Sequence, residues 1–517
     1  MARTQDRLKQ LQQMVVTAEQ MRQIEARVFA AGMPVAALME KVAGLIAQRI
    51  QTLYACSQTP RVGILVGPGH NGGDALVVAR ELYFRGYDVV IYRPLPKLKE
   101  LTSQHAEYAN SLGLPWFERI EPLQNCDLLV DGLFGFGTER PLEGAIAAAV
   151  DQINSWSQPV LSIDVPSGLH TDTGAALGTA IRATHTFCLG LWKLGLLQDH
   201  ALAYVGTAEL IDFDLPLADV LAVLGESPKL QRITPEAAIA QLPLPRPAST
   251  HKYKMGHLLL ICGSHRYTGG AILTALGARA SGVGMLSVAV PESIKPLLSA
   301  QLPEALIIGC PETETGAIAH LPQNVDLSSY DAIACGPGLT MDASAVMQGV
   351  LDSDRPLVLD ADGLNLLAQQ GTIPTLSNRQ PPTVLTPHEG EFKRLFPDLA
   401  DQMRNRAIAV QTAAEQTGAI VLLKGARVII SNPQGSVWIN PESTPALARG
   451  GSGDVLTGLL GGLLAQGLLK KTPVEAAVQS AVWWHAQAGI LAAKARTELG
   501  VDAFILTQYL IPVLQHQ

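Results

Sequence analysis

The stretch ARGGSGDVLTGLLGG at residues 448–462 sets one aspartate, Asp454, directly behind a run of glycines and ahead of an apolar segment. A glycine cluster opening a helix suits an anion, because unpaired backbone N–H groups point outward there and the helix dipole favours negative charge. The loop is no Walker A sequence, since Asp454 and Val455 stand where G-x-x-x-x-G-K-[ST] needs Lys and Ser or Thr. It also fits the dinucleotide fingerprint badly, which belongs to the first βα turn of a unit and not to the end of a long chain. A phosphate resting on the N–H groups of Gly450 to Gly453 would place Asp454 in the first helical turn. There the dipole is expected to keep the carboxylate ionised and able to act as a base.

The same half carries SHRYTGGA at 264–271, GPGL at 336–339, DADGLN at 360–365, TPHEGE at 386–391 and LKGARV at 423–428. Each follows a strand-like run or opens a helix. Lys424, or the backbone of Gly425, Ala426, Arg427 and Val428, is placed to reach a nucleotide. Ala271 and Gly338 would let a substrate approach the backbone. Asp360 and Glu389 are candidates to organise Mg2+ through water.

In the first half, three apolar runs end in polar loops: GPGHNGGD at 67–74, DGLFGFGTERP at 131–141 and DVPSGL at 164–169. Ligands of open parallel sheets bind at the carboxyl ends of strands, so these loops are where chemistry belongs. Their glycines admit a phosphate to the backbone. Asn71, Asp131 and Ser167 offer oxygens to a hard cation, and Asp164 is a candidate acid or base.

Parallel strands must position these loops. Short apolar runs alternate with helical stretches in both halves, for example RVGILV, DVVIYR and PVLSID before residue 213, and HLLLICG, MLSVAV and IVLLKG after residue 250. Thr17 and Gln20 form a T-x-x-Q capping box ahead of Met21, Ile24, Val28 and Phe29 at helical spacing. Residues 213–250 are rich in proline and read as a connector without a strand. The expectation is α/β throughout, with domains at 1–225 and 226–517 and no internal repeat.

A chain of 517 residues with 47% hydrophobic, 16% charged and 5% aromatic residues suits an Ala- and Val-rich enzyme of two domains. Net charge of -8 and the lack of a basic stripe interleaved with aromatics argue against nucleic acid. The six scattered cysteines contain no C-x-x-C pair and read as reduced core residues. No signal-like apolar stretch and no unbroken apolar run of membrane length is visible, so a soluble cytoplasmic protein without membrane attachment is expected.

The loops of the first half, their order and the preceding TAEQMRQIE resemble the NAD(P)H-hydrate epimerase domain, a Rossmann-like three-layer fold. The second half resembles the ADP- or ATP-dependent NAD(P)H-hydrate dehydratases, which are ribokinase-like. That resemblance implies a homo-oligomer acting on NADHX and NADPHX. His70, Asn71, Gly72, Gly73 and Asp74, with Gly135, Phe136, Gly137, Thr138, Glu139, Arg140 and Pro141, would hold the hydrated nucleotide. Asn71, Asp131 and Ser167 would ligate K+, Asp164 would contact the reacting substrate, and Lys193 matches a family lysine. In the second half it implies substrate contacts from Ala271, Gly338, His388 and Asp454, with nucleotide held by residues 424–428 and Gly453. Asp454 would activate the hydroxyl that receives phosphate from ADP or ATP, with Mg2+ accompanying the nucleotide. His70, Ala75 and Arg449 stand where relatives often carry Asn, Gly and a small residue. Two other readings share these features: a kinase for a small-molecule hydroxyl, and a nucleotide-binding module without turnover.

Overall fold

The computed structural model describes residues 2–515, with side chains from residue 6 onward. The chain forms two compact units, residues 1–230 and 231–517.

The first unit holds β1 (Val15–Val16), β2 (Arg61–Val66), β3 (Asp88–Tyr92), β4 (Trp116–Phe117), β5 (Leu128–Gly132), β6 (Val160–Ile163), β7 (His185–Leu189), β8 (Trp192–Lys193) and β9 (Thr207–Ile211). Seven of them make one sheet in the order β4-β3-β2-β5-β6-β7-β9, all parallel, while β1 pairs with β8 apart from it. From β2 the chain steps outward to β3 and β4, then returns to β5 on the other side. The order therefore reverses between β2 and β5, where an open sheet leaves a crevice at its carboxyl edge. Central strands are buried on both faces, as the unbroken apolar runs require: Val62, Ile64, Leu128, Val130, Leu161 and Ile163 share one core.

The Ala18–Ala30 helix starts on the expected capping box, with Thr17 and Gln20 satisfying each other's backbone N–H groups. Asp172 also accepts a hydrogen bond from Ala18 N at 2.7 Å. Met21, Ile24 and Val28 turn into the core. Phe29, read as a core residue from its spacing, instead lines a cavity with Arg22 and Glu25.

The second unit holds β10 (Leu230–Arg232), β11 (His257–Ile261), β12 (Met285–Pro291), β13 (Leu306–Cys310), β14 (Ala332–Cys335), β15 (Leu357–Leu359), β16 (Thr383–Leu385), β17 (Ile420–Leu423), β18 (Val428–Ser431) and β19 (Val437–Asn440). Their order is β10-β19-β18-β17-β16-β15-β14-β11-β12-β13. The pairs from β13 to β17 are parallel, and β17-β18-β19 continue antiparallel. The reversal here falls between β11 and β14. Helix Ser452–Leu469, long and apolar enough to cross a bilayer, is instead mostly buried in the core among Thr268–Ala280, Val474–Arg496 and the sheet.

Both halves are thus α/β, each built on a mostly parallel sheet, as expected. The connector is corrected: Leu230–Arg232 is an edge strand beside β19, and helix Leu217–Leu224 places Val220 in the first unit's core.

Candidate functional site

Each reversal of strand order opens on the loops that carry the singled-out residues. In the first unit, loops 67–74, 131–141 and 164–169 follow neighbouring β2, β5 and β6. Their close packing explains the glycines. A Cβ on Gly67 would sit 1.6 Å from Leu133 O, and one on Gly72 2.0 Å from Gly67 O. The His70–Phe84 helix starts at this junction, so its free N–H groups face a cavity of about 600 Å³. The cavity is lined by His70, Asn71, Asp74, residues 135–138, Asp164 and Lys193, together with Glu25.

Asp164 is the centre of this site. Its φ of +69° is rare for a residue with a side chain, and such strain persists where surrounding contacts over-determine it. Lys193 Nζ lies 2.5 Å from Oδ1, and Phe136 N donates to Oδ2 at 2.9 Å. Both members of the ion pair are buried. Burial works against the Lys193 charge, yet Asp164, Cys188 and Glu25 together more than offset it and raise the ammonium pKa. Asp74 is pushed well above the ordinary carboxylate range, by burial first and then by Asp164 and Glu25. Burial also pushes Glu25 up to about 7, with Lys193 opposing and Asp164 adding.

Asp131 sits opposite Ser162 in the β5–β6 register and is fully buried. Its carboxylate accepts from Ser167 Oγ at 2.6 Å, Ser162 Oγ at 2.8 Å, Ser167 N at 2.9 Å and Leu133 N at 3.2 Å. Ser167 Oγ is also 3.1 Å from Phe134 O. These oxygens form an all-oxygen cluster of the kind hard cations take. Asn71 stands at its rim beside Gly135 and Asp164, its buried Nδ2 without a hydrogen-bond partner.

In the second unit, Asp454 lies in the first turn of Ser452–Leu469, whose N-cap Gly451 has φ +89°. A Cβ there would meet Leu273 Cδ1 at 2.5 Å, so the tight entry to the helix requires glycine. Asp454 Oδ2 faces Gly270, 3.2 Å from where a Cβ would project. Gly453 stands over Lys424 Nζ and Asp360, with 3.4 Å between its Cβ position and the ammonium. Lys424 Nζ binds Asp360 Oδ1 at 2.7 Å and lies 3.8 Å from Glu391 Oε2. Thr457 Oγ1 donates to Asp360 Oδ2 at 2.7 Å. Burial opposes the Asp360 charge, but Lys424 and these hydrogen bonds outweigh it and lower its pKa. Asp454 has no such partner among the described residues. Burial pushes it up to about 6, with Asp360 and Asp362 adding and Lys424 opposing. Desolvation is the largest influence on it, and a carboxyl at about 6 is still charged at neutral pH and lies near the pH at which a general base works.

The match to known proteins covers both sites. Residues 35–195 match the family described as YjeF-related protein N-terminus, and residues 258–512 the one described as NAD(P)H-hydrate dehydratase. The bifunctional NAD(P)H-hydrate repair enzyme Nnr of Synechocystis sp. is 57% identical over 498 residues, 96% of this chain and 94% of the relative. That of Thermosynechococcus vestitus is 53% identical over 501 residues, 97% of each. The chain belongs to the bifunctional NAD(P)H-hydrate repair enzyme family. Among solved structures, an ADP/ATP-dependent NAD(P)H-hydrate dehydratase from Bacillus subtilis, co-crystallised with ATP and Mg2+, is 34% identical; it matches 55% of this chain and 98% of its own, with a TM-score of 0.48.

The structure places the other singled-out residues as follows. Ala271 is fully buried, its methyl part of the second unit's core. Gly338 has φ +66° and packs on Tyr267. His388 caps helix Glu389–Leu395, its Nδ1 accepting from Gly390 N and Glu391 N, while Nε2 lies 3.5 Å from Glu391 Oε1. Arg449 Nη2 donates to Leu499 O at 2.9 Å. Glu139 meets Arg22 at 3.3 Å, and Thr138 Oγ1 donates to Gly135 O. Asp360 gives its two oxygens to Lys424 and Thr457, and Glu389, on the surface, holds Lys393 at 2.6 Å. The turn of Gly425, Ala426 and Arg427 is held from below by buried Arg406, which donates to Lys424 O and Arg427 O. Sequence reading missed Arg406, Glu391, Thr457 and Glu25. Glu25, Glu391 and Thr457 stand inside stretches already singled out, TAEQMRQIE, TPHEGE and GGSGDVLTG, whereas Arg406 lies outside any of them.

Proposed function

We propose that this protein repairs hydrated NADH and NADPH through two chemistries. The first unit interconverts the R and S forms of NAD(P)HX. The second dehydrates the S form to NAD(P)H, turning ADP into AMP, or ATP into ADP, with release of phosphate. The supporting observation is one chain with two sites, each at a reversal of strand order and each with an aspartate at its centre, that matches bifunctional repair enzymes over nearly its full length.

In the first unit, epimerisation requires one bond at the hydroxyl-bearing C6 to break and re-form. The N-terminus of His70–Phe84, with residues 135–141, holds the nucleotide, and Asp164 exchanges a proton with the C6 hydroxyl. Lys193 holds the Asp164 carboxylate in place. K+ would be held by Asn71, Asp131 and Ser167, supplying a fixed positive charge where the three loops meet.

In the second unit, the N–H groups at Gly450 to Gly453 take the nucleotide phosphates, assisted by Lys424 and the turn at residues 425–428. Asp454 removes the proton of the C6 hydroxyl as it attacks the terminal phosphorus. Phosphate then leaves C6 by the push of the ring nitrogen, and loss of a C5 proton restores the dihydronicotinamide. Mg2+ would arrive on the nucleotide's own phosphates, as Mg2+ commonly does, and offset their charge. We assign the two activities to separable domains, residues 1–225 and 226–517, in a cytoplasmic homo-oligomer.

Pure S hydrate mixed with protein and ADP or ATP should release free phosphate and recover reduced-nicotinamide absorbance in equal amounts. A stable phosphoester without that absorbance would instead identify a kinase.

A further inference from the structure

The Ala18–Ala30 helix does more than close the first unit's core. Its core face carries Met21, Ile24 and Val28, whereas Arg22, Glu25 and Phe29, at i, i+3 and i+7, lie along the cavity. Arg22 is engaged with Glu19 and Glu139. Glu25 has no hydrogen bond or ion pair among the described residues, although it is half-buried in the cavity wall that also holds Asp164 and Lys193. A buried carboxyl left without a partner is costly unless it is neutral or used. The helix is fixed at its start by the Thr17–Gln20 box and by Asp172, which sets the backbone position from which Glu25 reaches the cavity.

We propose that Glu25 is the second proton-transfer group of the N-terminal site, an acid toward the ring nitrogen while Asp164 acts as a base toward the hydroxyl. This rests on the epimerase reading above. Asp164 takes the C6 hydroxyl proton, the O–H electron pair becomes the second C6–O bond, and the C6–N1 bond breaks with its pair going to N1. Glu25 delivers a proton to N1. Rotation about C5–C6 then exposes the other face of the aldehyde. N1 attacks that face, Glu25 recovers its proton, and Asp164 returns the other to oxygen. Nothing is consumed, and both groups end as they began.

The reaction needs one carboxyl charged and one neutral in the same cavity, and the two groups have different partners. Asp164 has Lys193 at 2.5 Å, whereas Glu25 has only burial and nearby Asp164, opposed at longer range by Lys193. Asp74 also lines the cavity from His70–Phe84 and is held well above the ordinary carboxylate range by burial, then by Asp164 and Glu25. His70 lines the same cavity, its pKa lowered by burial and then by Lys99.

Glu25→Gln and Glu25→Asp in the full chain test this. Epimerisation by the unaltered protein should lose rate as pH rises through about 7, where Glu25 gives up its proton. Glu25→Gln should lower kcat by about 100-fold or more, leave KM little changed and remove that alkaline limb. Glu25→Asp should recover part of the rate together with the limb. The melting profile and circular dichroism of the same variants, set against the unaltered protein, control for folding of the first unit, and dehydration of pure S hydrate controls for the second. An undiminished kcat in Glu25→Gln, or a reduced kcat with the alkaline limb intact, would overturn the proposal alone. Failure of the unaltered protein to interconvert the epimers would overturn the epimerase reading and this proposal with it.

Discussion

Lys193 Nζ stands 2.5 Å from Asp164 Oδ1, and neither group is exposed. The second site is built the other way round. Its buried lysine, Lys424, pairs with Asp360 and leaves Asp454 without a cation of its own. The difference suits the two tasks. A proton exchanged back and forth with a hydroxyl needs a carboxylate held in place, whereas a single proton removal during phosphoryl transfer needs a base whose pKa lies close to the working pH.

Asp164→Asn keeps the volume and removes the proton acceptor. Interconversion of R and S hydrates should slow by about 100-fold or more, while dehydration of pure S hydrate persists. Chromatographic separation of the epimers over time measures it, and undiminished interconversion would remove Asp164 from the reaction.

Asp454→Asn should abolish nucleotide-driven dehydration, because an amide cannot accept the hydroxyl proton. Nucleotide affinity should hold or rise as one negative charge near the phosphates disappears. Calorimetry gives the affinity and recovered absorbance the turnover. Joint loss of both would make Asp454 a loop-shaping residue only.

Dehydration should depend on pH through the same group. With its pKa raised to about 6, Asp454 is the protonated acid below that pH and the base above it, so the rate should climb through about 6 to a plateau. The stability effect runs the opposite way. Between the ordinary carboxyl value of 3.8 and about 6, the folded chain binds more protons at this position than the unfolded one, so folding loses stability as pH rises across that window. Asp454→Asn should therefore be the more stable protein above pH 6, and pH-resolved denaturant melts would show whether it is.

Lys424→Met should leave Asp360 buried without its cation, a loss of roughly 3–5 kcal/mol for a buried pair. The second unit should melt earlier, with nucleotide binding weakened. An unchanged melting profile would mean that water or Thr457 alone satisfies Asp360.

The loops were legible because glycine and aspartate ended strands that read as apolar runs: β2, β5 and β6 in one half, and β11, β14, β15, β16 and β17 in the other. Strands at the sheet edges were not. Thr207–Ile211, Leu230–Arg232 and Leu306–Cys310 are exposed or half-buried along most of their length, so they lack the continuous apolar signature, and no glycine loop marks their ends. The reactive aspartates showed themselves by their loops. Their supporting residues did not: Arg406 and Thr457 lie far in sequence from the groups they hold, and only the folded chain brings them together. Glu25 lay inside an assigned helix, where an acidic residue on the outer face looks like any solvated charge.

The most direct measurement gives the intact protein a mixture of R and S hydrates with ADP or ATP and follows reduced-nicotinamide absorbance to completion. Two linked activities predict recovery of essentially all the hydrate, with Asp164→Asn stopping once the S form is spent and Asp454→Asn recovering none. If the unaltered chain also stops at the S form, or recovers absorbance without nucleotide, the account of two cooperating sites is contradicted.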